Sequence, residues 1–145
     1  MKTKFLSLII LSMSILWIGC AKEQGCTDNS AVNYDSAAEE NDNSCTYEGS
    51  MVVYYDETTS NTLVADDAVS LTYYLDNQVI GSSAANVFFV GNPNCGDNGT
   101  ISVTKSLGSS KSKSYNLQVI DQTGFIYWDL NVALEANVCL ALEIE

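Results

Sequence analysis

From Gly49 onward the chain alternates inward and outward residues with a period of two, a spacing that extended strands satisfy and helices do not. Met51, Val53 and Tyr55 alternate against Val52 and Tyr54, and Val69, Leu71, Tyr73 and Leu75 against Ser70, Thr72 and Tyr74. Asp76-Asn77 supplies a two-residue hairpin turn into the strand that begins at Gln78. The apolar run from Ala85 to Val90 predicts a short buried strand, and residues 91–99 a long loop that holds the only proline, Pro93. Residues 100–106, 114–121 and 125–132 predict further strands, the last two joined by Gln122-Thr123-Gly124. Ile126, Trp128, Leu130 and Val132 form an expected core face, and Val138, Leu140, Leu142 and Ile144 point inward from the final strand. This pattern, with no helix outside the N-terminal segment, predicts an all-β fold. The expected architecture is a single β-sandwich over residues 49–145, with about seven to eight antiparallel strands.

The N-terminal segment has a different character. Lys2 and Lys4 precede an apolar run from Phe5 to Ile18, which ends at Gly19-Cys20. A basic start, a short apolar stretch and a small residue at the cut describe an export signal rather than a membrane span. With Cys directly after the cut, it resembles a bacterial lipoprotein signal, although Trp17 stands where that family prefers Leu. The resemblance implies removal of residues 1–19 and acylation of Cys20, which becomes the mature N-terminus. Residues 20–24 then form a tether. Lys22-Glu23 resembles a surface-export signal, and Ala21 stands where inner-membrane retention uses Asp. The expected location is therefore the outer membrane, lipid-anchored and facing outward.

Removing residues 1–19 from the 145 leaves 126 residues, enough for one domain and a small appendage. Four Lys then face 18 acidic residues, with no Arg and no His, for a net charge of −14. Such a surface repels nucleic acid and anionic headgroups. An apolar content of 46% excludes an acidic disordered tail. The lack of His removes the usual general base, the usual zinc ligand and any Ser–His or Cys–His relay. Once Cys20 is assigned to lipid, Cys26, Cys45, Cys95 and Cys139 remain, an even set in an exported chain. They predict two disulfides with three possible pairings.

Residues 25–47, GCTDNSAVNYDSAAEENDNSCTY, are polar, acidic and free of sustained periodicity. They closely resemble a short module common in exported proteins of Bacteroidota, G-C-T-D-x-x-A-x-N-Y-x-x-x-A-x-x-x-D-x-S-C-x-Y. Gly25, Cys26, Thr27, Asp28, Ala31, Asn33, Tyr34, Ala38, Asp42, Ser44, Cys45 and Tyr47 carry the match. The resemblance implies export and a Cys26–Cys45 bridge, and no activity. The remainder more loosely resembles small β-sandwich lipoprotein domains of the same bacteria, through Pro93, Cys95, Gly96, Trp128 and Cys139. That likeness implies the fold and a Cys95–Cys139 bridge.

Within the acidic module, Asp28, Asn33, Asp35, Asp42 and Asn43 crowd a short crosslinked loop, and calcium is the expected ligand of such an oxygen-rich set. The competing reading makes them Asx turns that cap their own backbone. Asp56-Glu57 and Asp66-Asp67 read as loop charge, since adjacent strand residues face opposite ways and form no acid/base couple. Ser110 and Lys113 make a nominal S-x-x-K, set in a Ser/Lys-rich loop rather than at a helix start. Tyr54, Tyr55, Tyr73, Tyr74, Tyr127 and Trp128 offer sugar-stacking rings if they face water, and core residues otherwise. The expected function is non-catalytic: a surface lipoprotein that binds an envelope protein, a glycan or a cation, or joins an envelope assembly. The alternative is a carboxylate-dependent hydrolase or a glycan-binding accessory.

Overall fold

In a computed structural model, residues 22–145 are described; the expected signal segment, residues 1–19, and the expected lipidation site Cys20 lie outside them. The strands are β1 (Gln24–Gly25), β2 (Glu40–Asn41), β3 (Tyr47–Tyr54), β4 (Ser70–Leu75), β5 (Gln78–Ala84), β6 (Ile101–Gly108), β7 (Ser112–Asp121), β8 (Ile126–Glu135) and β9 (Cys139–Glu143). One helix, α1 (Glu57–Ala65), lies between β3 and β4. Strands β3 to β9 form the expected all-β sandwich, with sheets ordered β6-β3-β9 and β5-β4-β7-β8.

The inward faces follow the sequence alternation. Met51, Val53 and Tyr55 meet Leu71, Tyr73 and Leu75, with Leu117, Val119, Val132 and Leu134 completing one buried cluster. Asp76 and Asn77 turn the β4–β5 hairpin with φ of 48° and 63°, the left-handed pair that a type I′ turn requires. Gly49 of β3 packs directly on the end of β8. A Cβ there would stand 2.8 Å from the carbonyl oxygen of Glu135, so no larger side chain fits without moving backbone.

Four expectations are corrected. The first concerns helix content, because α1 exists. Its sequence, ETTSNTLVA, buries only Ser60 and Leu63 and shows no amphipathic run. Its ends define it instead. Asp56 caps the N-terminus, accepting a hydrogen bond from the Thr59 N–H at 2.8 Å. At the other end the Ala68 N–H donates to Leu63 O and the Asp67 N–H to Val64 O, a Schellman closure with Asp67 at φ 63°. Buried Ala68 and Leu63 provide its apolar contact.

The second correction is strand direction: β3 and β9 run parallel, Ser50 pairing with Cys139 and Tyr54 with Glu143. The whole domain intervenes between them and supplies the crossover that a parallel pair needs. The third is the run from Ala85 to Val90, which forms no strand. A turn from Ala84 to Val87 breaks the extension, and the loop then drapes over the outer face of β3. There Phe89 meets Tyr54 edge to face at 6.2 Å, and the Tyr54 hydroxyl donates to Asn92 Oδ1. This cover explains why Val52 and Tyr54, expected outward, are buried as well. The fourth concerns Ile126, the first residue of β8, and Val138, which immediately precedes β9; both were expected inward and are exposed.

Both expected disulfides are formed. Cys95–Cys139 fastens the draped loop to β9, and Cys26–Cys45 closes the acidic module. The module is docked rather than strung out, since Cys26, Ala31 and Cys45 join the same buried cluster as the sandwich core.

Candidate functional site

Of the five oxygen-bearing residues expected for calcium, Asp28, Asn33, Asp35 and Asp42 hydrogen-bond within the module through their side chains. Asp28 accepts from the Ser30 N–H and hydroxyl through Oδ1 and from the Tyr47 hydroxyl through Oδ2, which also pairs with Lys111. Asn33 bridges the Ser44 carbonyl and the Thr46 N–H. Asp35 and Asp42 cap the N–H groups of Ala37 and Ser44, and Asn43 stands at φ 63°. Among the described residues, no three acidic or Cys side chains converge as a metal group. Asp28, Asp35 and Asp42 each close an Asx turn on the N–H two residues on, while Asn33 ties its strand of the loop to residues 44–46.

The Asp28–Lys111 pair has a pH signature. Lys111, with the Ser30 and Tyr47 hydrogen bonds, holds the Asp28 carboxyl well below the usual carboxylate range, and Asp28 in turn raises the Lys111 ammonium. The depressed acid stabilises the docked module above its unfolded pKa and loses that effect as pH falls through its lower folded value. The raised lysine contributes below its ordinary pKa and loses its effect as pH rises beyond it. Docking should therefore be firmest from about pH 4 to about pH 10. It should also weaken in molar salt, because Lys111 is 63% exposed. Hydrogen exchange across residues 26–47 should rise outside that window, and Asp28→Asn should remove the acid-side change.

Ser110 and Lys113 do not form a catalytic pair. Ser110 Oγ donates to the Ser112 carbonyl in the β6–β7 turn, and the Lys113 ammonium lies over the Tyr115 ring, 5.2 Å from its centroid. Of the six aromatic candidates, Tyr54, Tyr55 and Tyr73 are core residues, and Tyr74 is half-buried on the outer face of β4. Tyr127 and Trp128 differ from them.

These two rings line a cleft of about 390 Å³ between α1 and β8, with Thr58, Thr59, Thr62, Leu63, Asp66 and Glu145 around them. Neighbouring strand residues ordinarily face opposite ways; here a bulge changes that. Val119 pairs with Trp128 and Ile120 with Ile126, so Tyr127 is the extra residue and its ring is re-aimed. Tyr127 and Trp128 lie 5.7 Å apart at a 36° tilt, and Phe125 meets Tyr127 edge-on at 5.0 Å. The Trp128 indole N–H donates to the Glu145 carbonyl at 3.0 Å, which fixes the ring. Sequence reading missed Phe125, which is 60% exposed.

The cleft is built on a rigid base. Asp121 Oδ1 accepts from the Thr123 N–H and hydroxyl and the Phe125 N–H, which folds the β7–β8 hairpin. Gln122 then clamps this hairpin to the end of α1: its Oε1 accepts from the Val69 and Ser70 N–H groups, and its Nε2 donates to Asp67 O. A second hollow of about 420 Å³ continues the cleft past Asp66, Asp67, Asp121 and Phe125. Burial raises the Tyr127 phenol, and the nearby carboxylates of Asp66, Asp121 and Asp67 raise it further. Asp66 and Asp67 sit at the C-terminal end of α1, where the helix dipole disfavours negative charge and basic residues are preferred.

A third hollow, of about 350 Å³, lies between the module and the sandwich, beside the Cys95–Cys139 bridge. Its lining, including Asn29, Ser30, Glu48, Ser50 and Asn137, is mainly polar and has no aromatic ring. The α1–β8 cleft joins partly buried aromatic surface to convergent polar groups, the usual character of a binding site.

Compared with protein-family models, curated proteins and solved structures, the chain gives no match in any of the three.

Proposed function

We propose that this chain is a non-catalytic binding module of the bacterial cell envelope, anchored through Cys20 to the outer membrane and taking its ligand in the α1–β8 cleft. The aromatic cleft is the observation that carries this reading. Tyr and Trp supply large contact area at low entropic cost, and a bulge that turns Tyr127 toward Trp128 concentrates that area in one place. The export signal and the two disulfides fit an extracellular setting.

Asp121 and Asp129 do not suit the role of general acid. A general acid needs a raised pKa. Partial burial works against ionisation of Asp121, yet the Thr123 hydroxyl and the N–H groups of Phe125, Thr123 and Gly124 hold its carboxyl below the usual range. Asp129 is likewise lowered, by Asn116 and Gln118.

Trp128 is the only tryptophan after the signal, so its emission reports on the cleft directly. Envelope fractions added to the mature chain should shift that emission saturably, and Tyr127→Ala should abolish the shift. Release of reducing sugar or new peptide termini from those fractions would instead identify an enzyme. For the anchor, native protein should partition into detergent with a diacylglyceryl mass on its N-terminal peptide, and Cys20→Ser should release it. A soluble native protein that begins at another residue would contradict the assigned location.

A further inference from the structure

We propose that the occupant of this cleft is a basic segment of another envelope protein, with a Lys or Arg side chain laid against Tyr127 and Trp128 and surrounded by Asp66, Asp67, Asp121 and Glu145. This inference rests on the cleft being the binding site and adds the chemistry of its ligand.

Charge complementarity selects a cation. The single ion pair among the described residues is Lys111–Asp28, so none of the four carboxylates around the cleft has a cationic partner there. The described cations are Lys22, Lys105, Lys111 and Lys113, and none lines the cleft or its extension. Asp121 spends Oδ1 on its own hairpin, while Oδ2 accepts no hydrogen bond among the described residues. Asp66 and Asp67 carry charge at the wrong end of α1, and Asp67 holds a φ of 63° that glycine would adopt more easily. A sequence selected for stability alone would place Gly or Asn at the second position and Lys near the first. A bound cation offsets the helix-end repulsion and meets the negative faces of the rings as well.

Ring geometry selects a side chain over a sugar. The 36° tilt between Tyr127 and Trp128 and the edge-on approach of Phe125 leave no flat platform, and they suit the narrow stem of a Lys or Arg. Exposed Phe125, and Val69 held beside the hairpin by Gln122, extend apolar surface past the cleft for neighbouring residues of a chain. An aromatic centre with a charged rim is the anatomy of a protein interface. The net charge of −12 draws a basic partner from a distance.

The test uses the mature chain and a capped peptide, Gly-Leu-Lys-Gly-Leu-Lys-Gly, beside its twin with both lysines acetylated, read by calorimetry and Trp128 emission. The lysine peptide should bind at least about tenfold more tightly than the twin, a difference of about 1.4 kcal/mol. Asp66→Asn with Asp67→Asn should weaken it by a similar factor while leaving the melting temperature equal or higher. That combination would not follow from a merely structural role. Equal binding of both peptides, or binding unaffected by the double substitution, overturns the basic-segment inference. If Tyr127→Ala still abolishes binding in that case, the cleft itself stands. Binding insensitive to Tyr127→Ala overturns both readings. A chitosan trimer bound more tightly, with the same sensitivities, would assign the cation to a sugar amine and overturn the peptide.

Discussion

Replacing Cys95 and Cys139 together by Ser should lower stability by about 4 kcal/mol, more than any other change to the chain's crosslinks. The bridge spans 44 residues, and the chain-entropy relation gives that figure for a loop of this length, against about 3 kcal/mol for the 19-residue span of Cys26–Cys45. The native state carries a second consequence. The bridge pins the loop that covers Val52 and Tyr54, so its loss frees Phe89 and Asn92 and opens the outer face of β3 to water. Calorimetry should show the melting temperature lowered by roughly 10–20 °C. Hydrogen exchange should rise at residues 85–100 before the β4–β7 pair is affected. A uniform loss of protection instead would mean that the loop contributes little of its own.

Leu63→Ala should cost about 3 kcal/mol and remove the binding site with it. Leu63 is 1% exposed, lies on the floor of the cleft and supplies both the last inward contact of α1 and the apolar partner of Ala68 in the helix closure. Truncating a buried Leu loses its transfer energy and leaves a cavity, within a range of about 2–5 kcal/mol. α1 has little else to hold it, because its other buried side chain is Ser60, whose hydroxyl donates to Ala85 O at 2.9 Å. The midpoint of urea unfolding should fall, and Trp128 emission should move to the red in the folded state as water enters the cleft. A stability loss with unchanged Trp128 emission would show that α1 does not form the wall of the site.

What the sequence could reveal depends on the distance over which each feature is encoded. The inward face of Leu71, Tyr73 and Leu75, the Asp76-Asn77 turn and the β8 positions Trp128, Leu130 and Val132 are local, and all were legible from alternation and turn chemistry. Helix α1 was not, because Thr-rich residues with low helix propensity occupy it and its identity lies in Asp56 and the closure at Asp67. The run from Ala85 to Val90 carries the composition of a strand but serves as a lid over β3, a role set by partners far away in sequence. The site was half legible. Tyr127 and Trp128 stood among the aromatic candidates, but their convergence depends on a one-residue bulge against β7, and register of that kind has no single-residue mark. Asp66 and Asp67 read as loop charge because the helix they terminate was not foreseen.

In the proposed function, the α1–β8 cleft is the face through which this chain meets an envelope partner. A photo-crosslinking residue placed at Phe125 in intact cells tests it most directly, with Val79 as control, an exposed apolar position on the opposite edge strand of the same sheet. A discrete light-dependent adduct should form from position 125, be lost with Asp66→Asn and Asp67→Asn, and not form from position 79. Equal adducts from both positions, or an adduct only from position 79, would contradict that reading.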